Sequence, residues 1–365
     1  MKIVGRLFSL AELERKSKSM MRLGGLFALS FALLFALPVA QGQSPEPRDI
    51  PARSLPVPST VSPEMQRLIA TPIPEGWDTP PRTREEWMPI AARMDEAPSG
   101  AQSVLERFGV TAEPMVVNGV KAYMLTPANI PAENRDRLLM HIHGGCYMMF
   151  GGEAAITEGV RMAGYGQFRV LSIDYRRPPT FLYPAALDDT VSAWKGALEM
   201  ADPNKMGIFG ASAGGALTLS TVLRLKQEGL PLPAAIAPGT PMSDLTKTSD
   251  SFYTNRLVDN VLLGTEGRCQ AMAELYAGGH DLSDPMLSPV YGDMSGFPPT
   301  ILTTGTRDLL LSDTVRVHRN LRRAGVEADL HVYEAQAHAY YLRDIPESQE
   351  AYEEMALFFK KHLER

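Results

Sequence analysis

From residue 137 to the C-terminus, short apolar segments alternate with longer segments of helical periodicity, and this alternation constrains the fold more than any other feature. Apolar strands that alternate with helices form a parallel sheet covered on both faces. The sequence therefore predicts an α/β fold. The predicted strands are 137–142, 168–173, 206–209, 234–237, 300–304 and 328–333, and the predicted helices are 153–165, 185–200, 213–228, 312–325 and 347–363.

The chain before this alternation contains two predicted helices and a hairpin. Helices are expected at 63–70 and 83–97, and the second opens with the capping-box pattern of Thr83 and Glu86. Two strands within 114–126 flank Asn-Gly, a strong hairpin-turn signal.

The N-terminal region resembles an export signal. Residues 23–40 are eighteen residues without a charge, after a basic start and before small residues. This pattern predicts a signal peptide over residues 1–42, with Met20 or Met21 as an alternative start. An uncleaved anchor remains open, because eighteen residues is about the lower limit for a membrane span. We expect a secreted or periplasmic protein without a stable membrane span after cleavage.

Composition excludes several classes of protein. A proline-rich linker is expected over 43–62, and the remainder, 63–365, has the apolar content of a folded domain. The net charge is −6, from 36 basic and 42 acidic residues, which argues against nucleic-acid binding through clustered basic residues. No phosphate-loop or zinc-protease motif is present, which argues against P-loop NTPases and zinc proteases. The cysteines Cys146 and Cys269 allow one bridge, whose formation the sequence leaves open.

A serine occupies the turn between a predicted strand and a predicted helix. Residues 208–215 read Ile-Phe-Gly-Ala-Ser-Ala-Gly-Gly, which is the nucleophile-elbow pattern Gly-x-Ser-x-Gly in its proper context. Gly210 and Gly214 are small because strand and helix close together around Ser212. The helix N-terminus favours developing negative charge. We predict Ser212 as the nucleophile and the N–H of Ala213 as an oxyanion donor.

A glycine-rich loop follows the strand predicted at 137–142. Its residues Gly144, Gly145 and Cys146 are predicted oxyanion donors, because such a loop lets backbone N–H groups approach a substrate oxygen. The spacing of His141 and His143 also fits two metal ligands on one face of a strand, but no third ligand is evident nearby.

An aspartate and a histidine follow the last two predicted strands. Asp308 and His338 lie where catalytic residues of open α/β sheets are found. The order Ser212, Asp308, His338 matches that of α/β hydrolases, with His338 as the base and Asp308 orienting it. Asp313 is the rival for the acid role.

Together these motifs resemble the hormone-sensitive-lipase-like branch of the α/β hydrolases, also called bacterial esterase family IV. The matching segments are His143-Gly144-Gly145, Asp174-Tyr175-Arg176, residues 183–189, residues 210–215, residues 284–289 and residues 305–308 with His338. The resemblance implies an eight-stranded, mostly parallel sheet with helices on both faces. It also implies a helical cap built from about 63–110 and 244–285.

The same resemblance implies a serine carboxylesterase that acts on short- to medium-chain esters through an acyl-enzyme, without metal or cofactor. Family members often form homodimers. Within the family the chain is similar to secreted esterases and ε-lactone-hydrolase-like members, so a lactone hydrolase with the same triad is an alternative. A non-catalytic ligand-binding protein and a lyase are alternatives from other classes. The partner is then a small-molecule ester or lactone.

Two residues depart from the family pattern. Cys146 replaces a third glycine, and Ala211 stands where many members have Asp or Thr, so a local hydrogen bond is expected to be missing. We expect Asp174 and Arg176 to form a structural ion pair.

Several apolar residues are candidates to line a substrate pocket. They could equally pack the cap against the sheet. The candidates are Trp87, Phe252 and Leu257 in the cap segments, and Tyr147, Met148 and Met149 after the glycine-rich loop.

Overall fold

Eight strands form one sheet in the computed structural model, which describes residues 46–364. The strand order is β1-β2-β4-β3-β5-β6-β7-β8. The pairs β1–β2 and β2–β4 are antiparallel, and all others are parallel, which confirms the predicted α/β-hydrolase sheet. The strands are β1 Val110–Val117, β2 Val120–Pro127, β3 Leu138–Ile142, β4 Arg169–Asp174, β5 Met206–Ala211, β6 Ala235–Gly239, β7 Thr300–Gly305 and β8 Ala328–Tyr333.

Helices cover both faces of this sheet. One apolar cluster joins the sheet to helices α5 (Ala185–Ala197), α6 (Ala213–Glu228) and α9 (Leu311–Arg323). A second apolar cluster joins the sheet to helices α4 (Thr157–Gly166) and α10 (Pro346–His362). The crossover helices therefore bury the sheet on both sides, as expected for parallel strands. The helices are α1 Pro63–Ile69, α2 Arg84–Glu96, α3 Ala101–Phe108, α4 Thr157–Gly166, α5 Ala185–Ala197, α6 Ala213–Glu228, α7 Ser251–Thr254, α8 Arg268–Ala277, α9 Leu311–Arg323 and α10 Pro346–His362.

Local sequence signals act as predicted at two element boundaries. Thr83 and Glu86 form the reciprocal capping box at the start of α2. Asn118 and Gly119 have φ of 44° and 84°, and they close the β1–β2 hairpin between Val117 and Val120. Positive φ at both central residues is what the Asn-Gly pair favours.

Other boundaries differ from the sequence expectation. Strand β1 begins at Val110, before the predicted start. The predicted helix at 153–165 begins as a 3₁₀ segment, Gly152–Ile156, and continues as α4. Helix α3 was not predicted, because glycines bound it and no side chain caps its N-terminus. The glycines at 100 and 109 both have left-handed backbones.

The predicted signal peptide, residues 1–42, lies outside the described residues. Residues 46–62 of the predicted linker contain no helix or strand. Within residues 46–364, no helix combines the length and the apolar character needed to cross a membrane.

Candidate active site

A cavity of about 690 Å³ opens at the carboxyl ends of the parallel strands. Its floor is formed by Gly144, Gly145 and Cys146 after β3, by Ser212 after β5 and by His338 after β8. Ligands of open α/β sheets bind at this edge. The apolar part of its wall includes Trp77, Met94, Val104, Met149, Phe150, Val261, Leu262, Leu263, Met272 and Leu342.

Ser212 occupies a sharp turn between β5 and α6. Its backbone has φ 59° and ψ −121°, a strained conformation for a residue with a side chain. Its N–H donates to Gly239 O at 2.9 Å, and its carbonyl accepts from Met242 N at 3.1 Å. A Cβ at either Gly210 or Gly214 would lie 2.0 Å from Ile142 O. The turn therefore tolerates only glycine on both sides of the serine, as predicted.

Asp308 and His338 contact one another beside this turn. Asp308 Oδ1 lies 3.1 Å from His338 Nδ1, and both side chains are buried. Thr240 Oγ1 donates a short hydrogen bond to Asp308 Oδ2, and Thr304 Oγ1 donates to the same oxygen at 3.0 Å. His338 Nδ1 thus faces the carboxylate, while the residue lines the cavity together with Ser212.

A second buried carboxylate, that of Asp259, joins the acid and base loops. Asp259 Oδ2 accepts from Leu309 N at 2.7 Å and from His338 N at 3.3 Å. Its Oδ1 accepts from Val261 N and Leu262 N, two residues of the cavity wall. The side-chain ligand atoms of Asp259, Asp308 and His338 all lie within 4.8 Å of one another.

The two carboxylates control protonation at this site. Burial disfavours the His338 imidazolium, but the charges of Asp308 and Asp259 outweigh burial and raise the pKa of His338 above its ordinary value. Burial, followed by the charge of Asp308, raises the pKa of Asp259 to about 6. An imidazolium formed at His338 is thus stabilised by its surroundings.

The glycine-rich loop turns its carbonyl groups into the protein. Gly145 O accepts from Met149 N at 2.8 Å. His143 Nδ1 donates to Gly144 O at 2.8 Å, and Tyr175 Oη donates to His143 O at 3.0 Å. A Cβ at Gly144 would lie 2.7 Å from Ala211 O, so the loop packs directly against the serine turn.

The two cysteines are joined. Cys146 of this loop forms a disulfide with Cys269 of α8, 123 residues further along the chain. The bridge lies in the cavity wall. It therefore ties a predicted oxyanion donor to a predicted cap segment.

His141 and His143, whose spacing also fitted a metal pair, contact different partners. His141 contacts Ser172 Oγ at 2.8 Å and Glu158 Oε2 at 3.1 Å, both buried. His143 is stacked on Tyr175, and burial lowers the pKa of His143 to about 3. His141 is a buried structural residue, whereas His143 is buried at the wall of the cavity.

Sequence profiles of known families identify this architecture. The profile described as the alpha/beta hydrolase fold matches residues 139–342. An esterase of known crystal structure is 41% identical with a TM-score of 0.83, and the match covers 87% of this chain and 99% of that chain. A crystal structure of an esterase from the bacterial hormone-sensitive lipase family is 29% identical with a TM-score of 0.71, covering 83% and 99%. An acetyl-hydrolase from Streptomyces hygroscopicus is 30% identical over 233 residues, which are 63% of this chain and 77% of that protein.

The chain belongs to the hormone-sensitive-lipase-like family of α/β hydrolases. It is a carboxylic ester hydrolase.

Of the six residues predicted as candidates to line the substrate pocket of this hydrolase, five lie outside the cavity wall. Trp87 and Met148 pack together in a small apolar cluster with Cys146 and Met272. Tyr147 and Phe252 are buried in the main core, and Leu257 is exposed outside the cavity wall. Of these four buried residues, Trp87 and Met148 pack among α2, α8 and the glycine-rich loop, and Tyr147 and Phe252 pack in the core beside the sheet. Met149 does line the cavity.

Side-chain contacts correct one further expectation and exclude one alternative. Arg176 forms a salt bridge with Asp189 of α5 at 2.8 Å, and not with Asp174 as we expected. Asp313 is buried against Ser249 and Asp244 N, away from His338, and burial raises the pKa of Asp313 to about 8.

The backbone N–H of Ala211 has a buried partner on another helix, which is a different contact from the side-chain hydrogen bond that Asp or Thr would make at this position. Glu158 Oε2, on α4, accepts from Ala211 N at 3.3 Å and also contacts His141. Sequence reasoning missed both Glu158 and Asp259. Neither belongs to a recognisable motif, and only their burial as charged residues in the folded chain distinguishes them.

Proposed function

We propose that this esterase cleaves short- to medium-chain carboxylic esters with Ser212 as nucleophile, His338 as general base and Asp308 as the group that orients His338. The observation that carries the proposal is the buried contact between His338 Nδ1 and Asp308 Oδ1. His338 also lines the same cavity as Ser212.

In the proposed reaction, His338 Nε2 accepts the proton of Ser212 as Oγ attacks the ester carbonyl carbon. Asp308 keeps the second ring nitrogen protonated and stabilises the imidazolium. The tetrahedral oxyanion accepts hydrogen bonds from the N–H groups of Gly144, Gly145, Cys146 and Ala213. His338 then protonates the leaving alcohol. A water molecule, activated by His338, releases the acid from the acyl-enzyme.

The cavity supports substrates of small to moderate size. A volume of about 690 Å³ falls within the range for small-molecule sites, and its apolar wall suits an aliphatic acyl chain. The segments 63–110 and 244–285 act as a cap in this proposal, since Trp77, Met94 and Met272 contribute to that wall.

We further infer that the protein is exported and loses residues 1–42. The charge-free segment 23–40 supports this inference. So does the disulfide, because stable disulfides are typical of oxidising compartments. Mass spectrometry of the protein from an exporting bacterial host should find a mature N-terminus near Gln43. Retention of the apolar segment in that protein would contradict the inference.

Replacement of the nucleophile tests the assignment directly. We expect Ser212→Ala to lower kcat by about 10⁴-fold or more, because no acyl-enzyme can form. An organophosphate should label Ser212 in the wild type and leave the variant unlabelled. Ser220→Ala is the matched control: Ser220 is a buried serine of α6 outside the cavity wall, and this variant should keep its activity and labelling. Full turnover by Ser212→Ala would instead indicate a lyase.

A substrate panel tests the proposed range. We expect acetyl, butyryl and octanoyl nitrophenyl esters to be hydrolysed, and the dodecanoyl ester to show at least about tenfold lower kcat/KM, because the cavity is finite. Simple lactones in the same panel separate an esterase from a lactone hydrolase. Preference for the dodecanoyl ester would contradict the size argument.

A further inference from the structure

The oxyanion loop contains an unusual run of backbone conformations. Gly145, Cys146 and Tyr147 have successive φ values of 95°, 52° and 65°. Only the first of these residues is a glycine. Left-handed conformations are sparsely populated by residues that carry a Cβ, so contacts must hold Cys146 and Tyr147 there. Within the loop, Gly145 O accepts from Met148 N at 3.0 Å and from Met149 N at 2.8 Å. Contacts with a helix outside the loop are added to these two hydrogen bonds.

Helix α8 contacts both of these residues. Cys269 forms the disulfide with Cys146. The ring of Tyr276 stacks on that of Tyr147, with centroids 4.2 Å apart and planes within 7°. Residues seven positions apart lie two turns apart on one helix face, so the same face of α8 holds both left-handed residues.

Contacts with other parts of the protein hold α8 itself in place. Tyr276 O accepts from Tyr183 N at 2.8 Å, next to the start of α5. Met272, between the two anchors, packs in the apolar cluster with Cys146 and Trp87. The anchoring face of α8 is therefore integrated with both the sheet domain and α2.

We propose that α8 positions the oxyanion loop, with Cys269 and Tyr276 as positioning residues that hold the N–H of Cys146 towards the ester carbonyl oxygen. The proposal rests on the proposed function. A glycine at residue 146 would adopt positive φ without help. Cys146 carries a Cβ, and the disulfide holds it in that conformation instead. Cys269 lines the cavity together with Gly144, Gly145 and Cys146, so the disulfide anchors the loop within the cavity wall. Tyr147 and Tyr276 are buried in the core, so the stacked rings anchor the loop from behind the donors.

This role predicts a particular kinetic signature. Oxyanion donors stabilise the transition state more than the bound ester, so a misplaced donor lowers kcat and leaves KM nearly unchanged. Removal of one such donor in other enzymes costs about 10²- to 10³-fold in kcat. A donor that is present but poorly held should cost less, about 10- to 100-fold.

The decisive experiment compares two double variants that differ only by a Cβ. Cys146→Ala/Cys269→Ala and Cys146→Gly/Cys269→Ala both lack the bridge. Glycine can adopt positive φ without an anchor, but alanine cannot do so readily. We expect the glycine variant to exceed the alanine variant in kcat by at least about tenfold, with KM values within about twofold of each other.

Three results would overturn the proposal: equal kcat values at the wild-type level, equal kcat values at a reduced level, or a difference confined to KM. Titration with an organophosphate gives the concentration of reactive Ser212 in each sample, so loss of folded enzyme is separated from loss of kcat. Absence of hydrolysis and of labelling in the wild type would instead refute the proposed function.

A second pair keeps the disulfide and tests the stacking anchor, should the bridge-free variants fail to fold. Tyr276→Phe retains the ring and Tyr276→Leu removes it. We expect the leucine variant to lose about three- to tenfold in kcat, and the phenylalanine variant to stay within about twofold of wild type. Affinity for a trifluoromethyl ketone, which forms an oxyanion at this position, should fall in parallel with kcat. Equal behaviour of the two variants would contradict the role of the stack.

Discussion

The serine turn and the oxyanion loop both hold residues with a Cβ at positive φ, but they do so by different means. At Ser212 the glycines at 210 and 214 let the turn close tightly, and backbone hydrogen bonds with Gly239 and Met242 hold it there. At Cys146 the constraint comes from Cys269, 123 residues further along the chain. Strained backbone at a reaction centre can thus be maintained either by small neighbours or by distant anchors.

The difference teaches which half of the site tolerates sequence change. In the serine turn, a new side chain would meet backbone atoms, which cannot move aside. In the oxyanion loop, we expect glycine to replace Cys146, because glycine adopts positive φ without an anchor. The serine turn therefore requires glycine beside Ser212, whereas residue 146 can be either an anchored cysteine or a glycine.

The largest expected effect is at the serine turn. Gly214→Ala would place a Cβ 2.0 Å from Ile142 O and 2.8 Å from His143 C. We expect either no soluble folded protein or a loss of about 10³-fold in kcat, because backbone atoms on both sides would have to shift. Circular dichroism and nitrophenyl-butyrate hydrolysis measure the two outcomes.

A matched glycine isolates the effect of close contact. Gly229, at the C-terminal end of α6, also has positive φ, but a Cβ there would meet nothing within 4 Å. We expect Gly229→Ala to lower the free energy of unfolding by about 1 kcal/mol and to leave kcat unchanged. A Gly214→Ala enzyme with activity within tenfold of wild type would break the comparison.

The next effect separates stability from activity at the oxyanion loop. Both bridge-free double variants of Cys146 and Cys269 should lose about 2–4 kcal/mol in the free energy of unfolding, because the bridge closes a long loop in the unfolded chain. Urea denaturation measures this loss. The alanine and glycine forms should be similarly destabilised while differing in kcat. If kcat fell in parallel with the free energy of unfolding in both double variants, the disulfide would only stabilise the fold and would not position the loop.

The smallest effect concerns protonation in the acid–base half of the site. Hydrolysis requires neutral His338, and the carboxylates of Asp308 and Asp259 favour the charged form. Asp259→Asn removes one of these charges, so the pKa of His338 should fall and the acidic limb of the kcat/KM profile should move to lower pH. We expect a modest loss of kcat as well, since the amide cannot accept all four backbone hydrogen bonds.

The control for this pH profile is an exposed carboxylate far from the cavity. Asp293 contacts Lys226 at the surface, and Asp293→Asn should leave the profile unchanged. An acidic limb that stays in place, or moves to higher pH, in Asp259→Asn would show that Asp259 does not act on His338 electrostatically.

Features that depend on a few neighbouring residues could be predicted from the sequence. The capping box at Thr83, the Asn118-Gly119 turn and the strand–Ser212–helix turn are each specified within about four to eight residues, and all three are present in the structure. The positions of Asp308 and His338 after β7 and β8 followed from the same strand–helix alternation.

Features that depend on which surfaces meet could not be predicted. Trp87 and Met148 are apolar residue types typical of pocket walls, but the packing of α2 and α8 on the oxyanion loop buries them in a cluster. Val104 lines the cavity from α3, a helix without a capping signal. Glu158 and Asp259 act through backbone N–H groups that are distant in sequence, and no motif indicates such partners.

The sequence by itself determined the layered α/β architecture and the position of the nucleophile, because periodic burial and tight-turn sterics operate over short stretches of chain. Only the tertiary structure decided how the oxyanion loop is held, which carboxylates surround His338 and which apolar residues face the substrate. These properties depend on contacts between segments far apart in the chain, such as Cys146 and Cys269 at a separation of 123 residues, and such contacts exist only after the layers have packed.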